Sequence, residues 1–552
     1  MSILSVGQSA LNAAQVGLVT TGHNIANAAT PGYNRQEVIQ GAVSGQDAGN
    51  GFVGKGTEVT GVRRVYSEFL GNQVVSTQTA KGQLDSYYSQ IQQINNMLAD
   101  SKSGLSPALQ DFFSSIAATT SDPSSAAARQ SMLSSANTLA GRFQGMDAQL
   151  NEQRQGVNAE IRSGVDGINI YAQQIGKLND AIEKAMNAGG GAPNDLLDQR
   201  DQAVNDLSKE VKVSVVKQGN SFNVMIGSGQ PLVVGTRTYG LSVTQSPTDA
   251  GRAEVAYDIG GKSVMLAEES ITGGKLGGLM EFRARTLDPT ENALGRVAIT
   301  LATEFNRQHA QGMDQAGQPG GDFFDIGAPS VAPNAANSKN GDGSPKGGVV
   351  ASFDPLATKS LTTSDYKVQI TDATTKPASY SVLRLSDNTL IGNSPGEVDG
   401  VQFKPTGSPA AGDTFVVRPT AGGASAATGI RVKLTDPTRI ALGTGGASGD
   451  NGNALALAGL QSAITTNGSA TFQGAYSQLV NQVGNKTREL EVTSAAAGQL
   501  YTSAVTAQQS ESGVNLDEEA ANLMKYQQAY QAAGKLMKTA SDMFDVLLSL
   551  GA

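Results

Sequence analysis

Leu516, Leu523, Tyr530, Met537 and Phe544 stand seven residues apart, and Tyr526, Ala533, Ala540 and Leu547 fill the second position of the same repeat. Unbroken heptads of this kind lay a narrow apolar seam along one helix face, which is what a coiled-coil partner requires. At the other end of the chain Leu4, Leu11, Leu18 and Ile25 repeat the seven-residue interval, with Gly7 and Ala14 three positions after the first two. Gln8, Ser9, Asn12 and Gln15 surround that seam with polar groups and leave little else to bury. The two ends are therefore expected to pair with each other or with neighbouring molecules. The first helix should stop between Asn27 and Thr30, because Pro31 disfavours helical geometry at the residue before it. Pro31-Gly32 suits the centre of a type II turn. Asn515, with Glu518 three residues on, gives a capping pattern for the last helix, and Asp517, Glu518 and Glu519 suit its positive end.

Between these ends the period changes several times. Residues 36–210 read as an extended segment followed by a long helical domain, with helical runs over Tyr66–Ala99, from Ser106-Pro107 to about Ala118, over Ser124–Ala188 and over Asp195–Glu210. Val211, Val213 and Val215 alternate, as do Phe222, Val224 and Ile226 after the turn Gly219-Asn220, so residues 211–270 should form a small β-rich region opening on a hairpin. Residues 271–312 return to helical period, and residues 312–348, rich in Gly, Pro, Asn and Ser, read as a linker or surface loop. A second, outer β-rich domain is expected over 349–442, from the alternation at Tyr366, Val368 and Ile370 and the strand Thr414–Arg418. Residues 451–514 read as the helical return, ahead of the heptad helix 515–552 that should pair with 1–35. The fold class is thus α+β and multidomain: terminal heptad helices, a long helical bundle or coiled coil, and two β-rich insertions.

Composition narrows the chemistry. Charged residues are 16% of the chain against roughly 25% in an average soluble protein. With 49 acidic and 40 scattered basic residues, the net charge of −9 offers no basic face to nucleic acid. Aromatics are only 5%, without Trp, so closely packed Ala-faced helices are expected in place of thick ring-filled cores. Zero Cys removes disulfides, thiolate metal sites and Cys nucleophiles, and two histidines leave little for metal or triad chemistry. Gly49–Gly54 matches a dinucleotide-binding spacing but precedes an extended segment where a helix should start, so it reads as a turn between strands. Asp517, Glu518 and Glu519 are consecutive on a helix and point in different directions, which suits capping and not acid–base work. His309, in Asn-Arg-Gln-His at a helix end, reads as a surface residue. No apolar run approaches the roughly 18 residues of a membrane span, and the first residues lack the pattern of a cleaved secretory signal. No cofactor, metal or membrane insertion is expected, and no enzyme.

The stretch Asn24-Ile-Ala-Asn27-Ala-Ala-Thr-Pro31-Gly32-Tyr33 resembles the N-terminal signature of the bacterial flagellar axial proteins, which comprise rod, hook and hook-associated proteins. The ending from Asn515 to Leu550 resembles the C-terminal signature of the same family. The units Thr30–Gln36 and Ser512–Glu518, the long helical region and the segment Ser408–Pro419 are most similar to its hook-associated branch. That resemblance implies a secreted, extracellular structural protein of the flagellum, exported unfolded by the flagellar type III apparatus. It implies self-assembly into a ring at the hook–filament junction, hook protein on one side, a second junction protein or the filament on the other, and an export chaperone at the C-terminal helix. The assembly surface would comprise Leu4, Leu11, Leu18, Asn24, Ile25, Asn27, Pro31, Gly32 and Tyr33 with Leu516, Leu523, Tyr526, Tyr530, Met537, Phe544 and Leu547. Two alternatives stay open: a hook-like axial protein, or a secreted glycan-binding or hydrolase module carried on a coiled-coil scaffold.

Overall fold

The computed structural model describes residues 3–551 apart from 48–51, 101–103, 190, 395, 424, 426–428, 446, 448 and 467. The turn at Gly49–Gly54 therefore lies in part outside the described residues. Helix α1 (Ile3–Asn27) is followed by a two-stranded ribbon of Gln36–Ala42 and Thr57–Arg64, which folds back along it. Helices α2 (Glu68–Leu98), α3 (Leu105–Ser121), α4 (Ala126–Asn187) and α5 (Asn194–Glu210) build the body. Side chains of Ser67 and Ser125 accept from backbone N–H groups in the first turns of α2 and α4. With 62 residues, α4 is about 93 Å long and forms the spine on which the β-rich pieces are mounted.

Strands from Val213 to Met265 make a four-stranded and a three-stranded antiparallel sheet against α4. Three asparagines fix them there. Asn158, Asn169 and Asn179 are 11 and 10 residues apart, about three helical turns each, so they share one face of α4. Each carboxamide pairs with strand backbone as another strand would. Asn169 donates to the Leu241 carbonyl at 2.8 Å and accepts from its N–H at 2.9 Å. Asn179 does the same with Phe222, at 2.9 and 3.1 Å, and Asn158 accepts from Ala253 and donates to Gly251. Buried strand edges are thereby satisfied without a further strand.

The chain then returns through α6 (Gly274–Phe282), a single π turn at Arg283–Leu287 and α7 (Asp288–His309). Residues 312–348, read from composition as a linker or loop, instead carry part of the core. Phe323 and Phe324 are buried against Phe305 and Phe112, and Asn306 holds their backbone at 2.7 to 2.9 Å. Six rings, Phe112, Phe113, Phe305, Phe323, Phe324 and Phe472, gather at this point. Beyond it the strand Ser330–Pro333 joins a five-stranded outer sheet through Thr414–Arg418, and Gly347–Phe353 joins a three-stranded one through Val401–Gly407. Tyr366, Val368, Phe403 and Phe415 form the second core, into which Ile299 of α7 packs. Short α8 (Gly452–Gly459), then α9 (Phe472–Ser512), which runs along α2, and α10 (Leu516–Gly551) complete the chain.

His309 is not on the surface but fully buried. Its Nδ1 lies 2.7 Å from the Gly321 carbonyl and its Nε2 accepts from the Ala441 N–H at 2.9 Å, so Nδ1 bears the proton and the ring is neutral. Burial, the largest influence, holds its pKa below the ordinary value despite the Gly321 carbonyl and Asp322. A depressed base contributes stability that is present above the unfolded value of about 6.5 and is lost as pH falls through the folded value. Thermal midpoints should therefore drop as pH is lowered from 7.5 to 5, and the drop should be shallower in His309→Gln, which starts less stable. Equal slopes for both proteins in calorimetry would contradict this.

Candidate functional site

The two ends of the chain form a helical pair, in which α10 packs along α1. The face of α1 turned inward is made of small residues: Gly7, Ala14 and Thr21 recur at seven-residue steps, with Gly17 and Asn24 at the second seam position, and all five are buried. A Cβ on Gly17 would lie 2.4 to 2.7 Å from the Tyr526 ring, and one on Gly7 would lie 2.9 Å from Met537. The close approach of the helices depends on those missing side chains. On α10, Ala533 and Ala540 are buried at seven-residue steps from Tyr526, which is half-buried.

The large residues of the heptads lie elsewhere. Leu4, Leu11 and Leu18 are half-buried beside the seam, and Ile25 is exposed. Leu516, Leu523, Tyr530 and Phe544 are exposed, at 39% to 56% of their surface, while Met537 is half-buried against Gly7. The Leu547 side chain lies outside the described residues. The seam between α1 and α10 is thus centred on the small stripe of α1, and the leucines of the heptad flank it. The seven-residue spacing of Gly7, Ala14 and Thr21 was the available signal. Two helices in close contact select small residues, so the large ones are displaced outward. With Met524 and Leu548 also exposed, α10 carries an apolar face without a partner in the monomer.

The signature turn ties this pair to the body. Pro31 and Gly32 (φ +78°) form the turn, closed by the Tyr33 N–H donating to Thr30 at 3.2 Å, and a side chain on Gly32 would strike Gln202. Asn27 donates to the His23 carbonyl at 3.0 Å and ends the helix. Asn24 repeats the clamp seen on α4, donating to the Gln36 carbonyl at 2.8 Å and accepting from its N–H at 2.9 Å. The Tyr33 hydroxyl donates to Asn24 at 2.7 Å and contacts His23 Nδ1 at 3.0 Å. Burial, reinforced by the charges of Asp195, Asp198 and Glu519, pushes this phenol well above its usual pKa and keeps it a donor. Asn34 donates to Asp198 of α5 through its backbone at 3.0 Å and its side chain at 2.6 Å, and Arg64 joins Asp198 to Asp201 at 2.7 and 2.6 Å.

The other connection crosses at the same place. Arg35 donates its backbone N–H to the Ser512 carbonyl at 2.8 Å, at the end of α9, and its guanidinium reaches Glu518 at 2.9 Å. Asn515 accepts from the N–H groups of Asp517 and Glu518 at 3.0 and 3.4 Å, which makes it the cap of α10. Glu518 points to Arg35, and Glu519 is buried at the joint. A cleft of about 610 Å³ opens between α1 and α5 beside this joint, lined by Val16, Val19, His23 and Asp195 among others. Among the described residues no cluster of three His, Asp or Glu could hold a metal ion, and no helix is long and apolar enough to cross a membrane.

Comparison with known proteins matches four stretches. Residues 91–324 match the Flagellar hook-associated protein FlgK helical domain and 335–419 the Flagellar hook-associated protein 1 D2-like domain. Residues 4–34 match the Flagella basal body rod protein and 508–550 the C-terminal part of the Flagellar basal body rod FlgEFG protein. Flagellar hook-associated protein 1 of Escherichia coli (strain K12) is 38% identical over 560 residues, covering 100% of both chains. That of Bacillus subtilis (strain 168) is 25% identical, covering 99% of this chain and 97% of its own. The solved flagellar hook junction protein FlgK from Burkholderia pseudomallei superposes with a TM-score of 0.71 at 27% identity, covering 80% of this chain and 100% of that one.

Proposed function

The chain belongs to the flagellar hook-associated protein 1 family, and on that footing we propose that it is a structural subunit of the hook–filament junction that assembles through its paired terminal helices. The observation that carries this reading is the apolar face of α10, exposed over Leu516, Leu523, Tyr530 and Phe544 on a helix whose main packing among the described residues is against α1. Each copy would bury that face against its neighbours, at roughly 25 cal/mol for every Å² of apolar surface removed from water. An isolated helical pair has little else to hold it in order, since helices in water draw most of their stability from packing. Folding of the ends and assembly would therefore be coupled, with the β-rich blocks facing outward.

The neighbours in this reading are further copies of the chain in a ring, hook protein on one side, and a second junction protein or the filament on the other. The subunit would be secreted unfolded through the flagellar export apparatus, with a chaperone on the C-terminal helix until assembly, and would carry out no catalysis. Deleting the protein should leave cells with complete hooks, no filaments and filament subunit spilled into the medium. Cells lacking hooks altogether would indicate a hook-like axial protein instead, and cells with normal filaments would overturn the reading.

A further inference from the structure

The outer β-rich block meets the body across a cluster of charges with a surplus of carboxylates. Arg418, on the strand Thr414–Arg418 of the outer block, lies 3.0 Å from Asp249 of the small β-rich region and 3.5 Å from Asp365 of its own block. Asp249 also faces Arg154 of α4 at 3.7 Å, and Arg154 reaches Asp288 at 3.5 Å and contacts Glu291, both on α7. Arg252 holds Asp288 at 2.6 Å and Glu254 at 3.0 Å, while Arg283 reaches Glu268 at 2.7 Å. From α7, Asn292 donates across the boundary to the Thr363 carbonyl at 3.2 Å and to Asp365 at 3.4 Å. Four guanidinium groups (Arg154, Arg252, Arg283, Arg418) thus serve six carboxylates (Asp249, Glu254, Glu268, Asp288, Glu291, Asp365).

Two surplus negative charges in a partly dehydrated boundary are relieved most directly by a bound proton. Asp365 is the group so placed. Burial is the largest influence on it; opposed by Arg418 and reinforced by Asp288, it leaves the carboxyl pushed up to about 6. Glu254 is also raised, by its own burial. We infer that the seating of the outer β-rich block on the body is proton-linked, with Asp365, facing Arg418, Arg252, Asp288 and Asn292, as the group that takes up the proton. A block lifted off the body would return Asp365 towards its ordinary value of about 3.9. The seated form then binds more protons between about pH 4 and 6, so seating tightens as pH falls into that window and the gain is lost as pH rises through 6. Ile299, packed into the outer core, holds the block at any pH, so the proton governs how firmly it sits.

The chain has no cysteine, so spin labels at introduced Leu390→Cys on the outer block and Ile170→Cys on α4, both exposed, report the separation of the two units in the full-length protein. The distance distribution should narrow between pH 8 and pH 5.5, and Asp365→Asn should be narrow at both. In parallel, hydrogen-exchange protection of residues 363–365, corrected for intrinsic rates, should rise about fourfold in the unsubstituted protein over the same interval. A distribution and protection that ignore pH, or a pH response retained in Asp365→Asn, would overturn the inference. Should Asp365→Asn not fold, the exchange measurement on the unsubstituted chain decides.

Discussion

Replacing Gly17 with leucine is expected to abolish assembly while leaving the body folded. A Cβ alone at this position would sit 2.4 Å from the Tyr526 ring, well inside contact distance, and a leucine adds three more carbons to the same space. Overpacking typically costs about 1–3 kcal/mol where neighbours can shift. Here the clash reaches the base of the ring, Cγ at 2.7 Å, so relief comes mainly from α10 moving away from α1, which also uncovers Ala533, Ala540 and Thr21. Since the main packing of α10 among the described residues is against α1, losing that contact removes most of its support. The expected result is a protein with the thermal midpoint of the original body, ends cleaved rapidly by protease, and no filaments on cells that supply only this variant. Gly17→Ala should be a milder version, and Tyr526→Leu should restore part of its function by vacating the ring. Motile cells with Gly17→Leu would show that the pairing is not used.

The second large effect lies in the body, at Asn179. Its carboxamide serves four partners: the Phe222 N–H and carbonyl, the Gly235 carbonyl at 2.7 Å and the Arg200 guanidinium at 3.1 Å. Leucine fills a similar volume but satisfies none of them. With each buried orphan costing about 1–3 kcal/mol, Asn179→Leu should destabilise the protein by on the order of 4 kcal/mol in chemical denaturation. Asn179→Asp keeps the acceptor but loses both donated bonds, and should fall between the two. A loss below about 1 kcal/mol for Asn179→Leu would mean that water replaces the clamp.

These two residues also mark where reading the sequence stopped. Strands and helices announced themselves by period: the hairpin around Gly219-Asn220 spans Val213–Ile226, and the long helix opened near Asp122-Pro123 spans Ala126–Asn187. Seven-residue spacing likewise located both terminal helices. What period cannot tell is which of two overlapping stripes is central, because Gly7, Ala14 and Thr21 have the same spacing as Leu4, Leu11 and Leu18. Apolarity favours the leucines, whereas closeness of approach favours glycine. Asn158, Asn169 and Asn179 were invisible for a different reason. A polar residue on a helix reads as solvated until a strand edge lies against it, and that edge comes from residues far along the chain. His309 and Phe323-Phe324 share this dependence on distant partners, the first on Ala441 and the second on Phe112.

Because Arg35 and Ser512 are hydrogen-bonded neighbours, both covalent routes between the terminal pair and everything else pass through one point. Topologically, the 476 residues between them form a single insertion into a helical hairpin. Chain added or removed inside that insertion leaves the spacing of the two anchors unchanged. The terminal pair can thus keep its geometry while parts of the remainder away from the Gln36–Arg64 ribbon and α5 are lengthened, trimmed or exchanged, and grafting a foreign domain there is the natural way to display cargo on it.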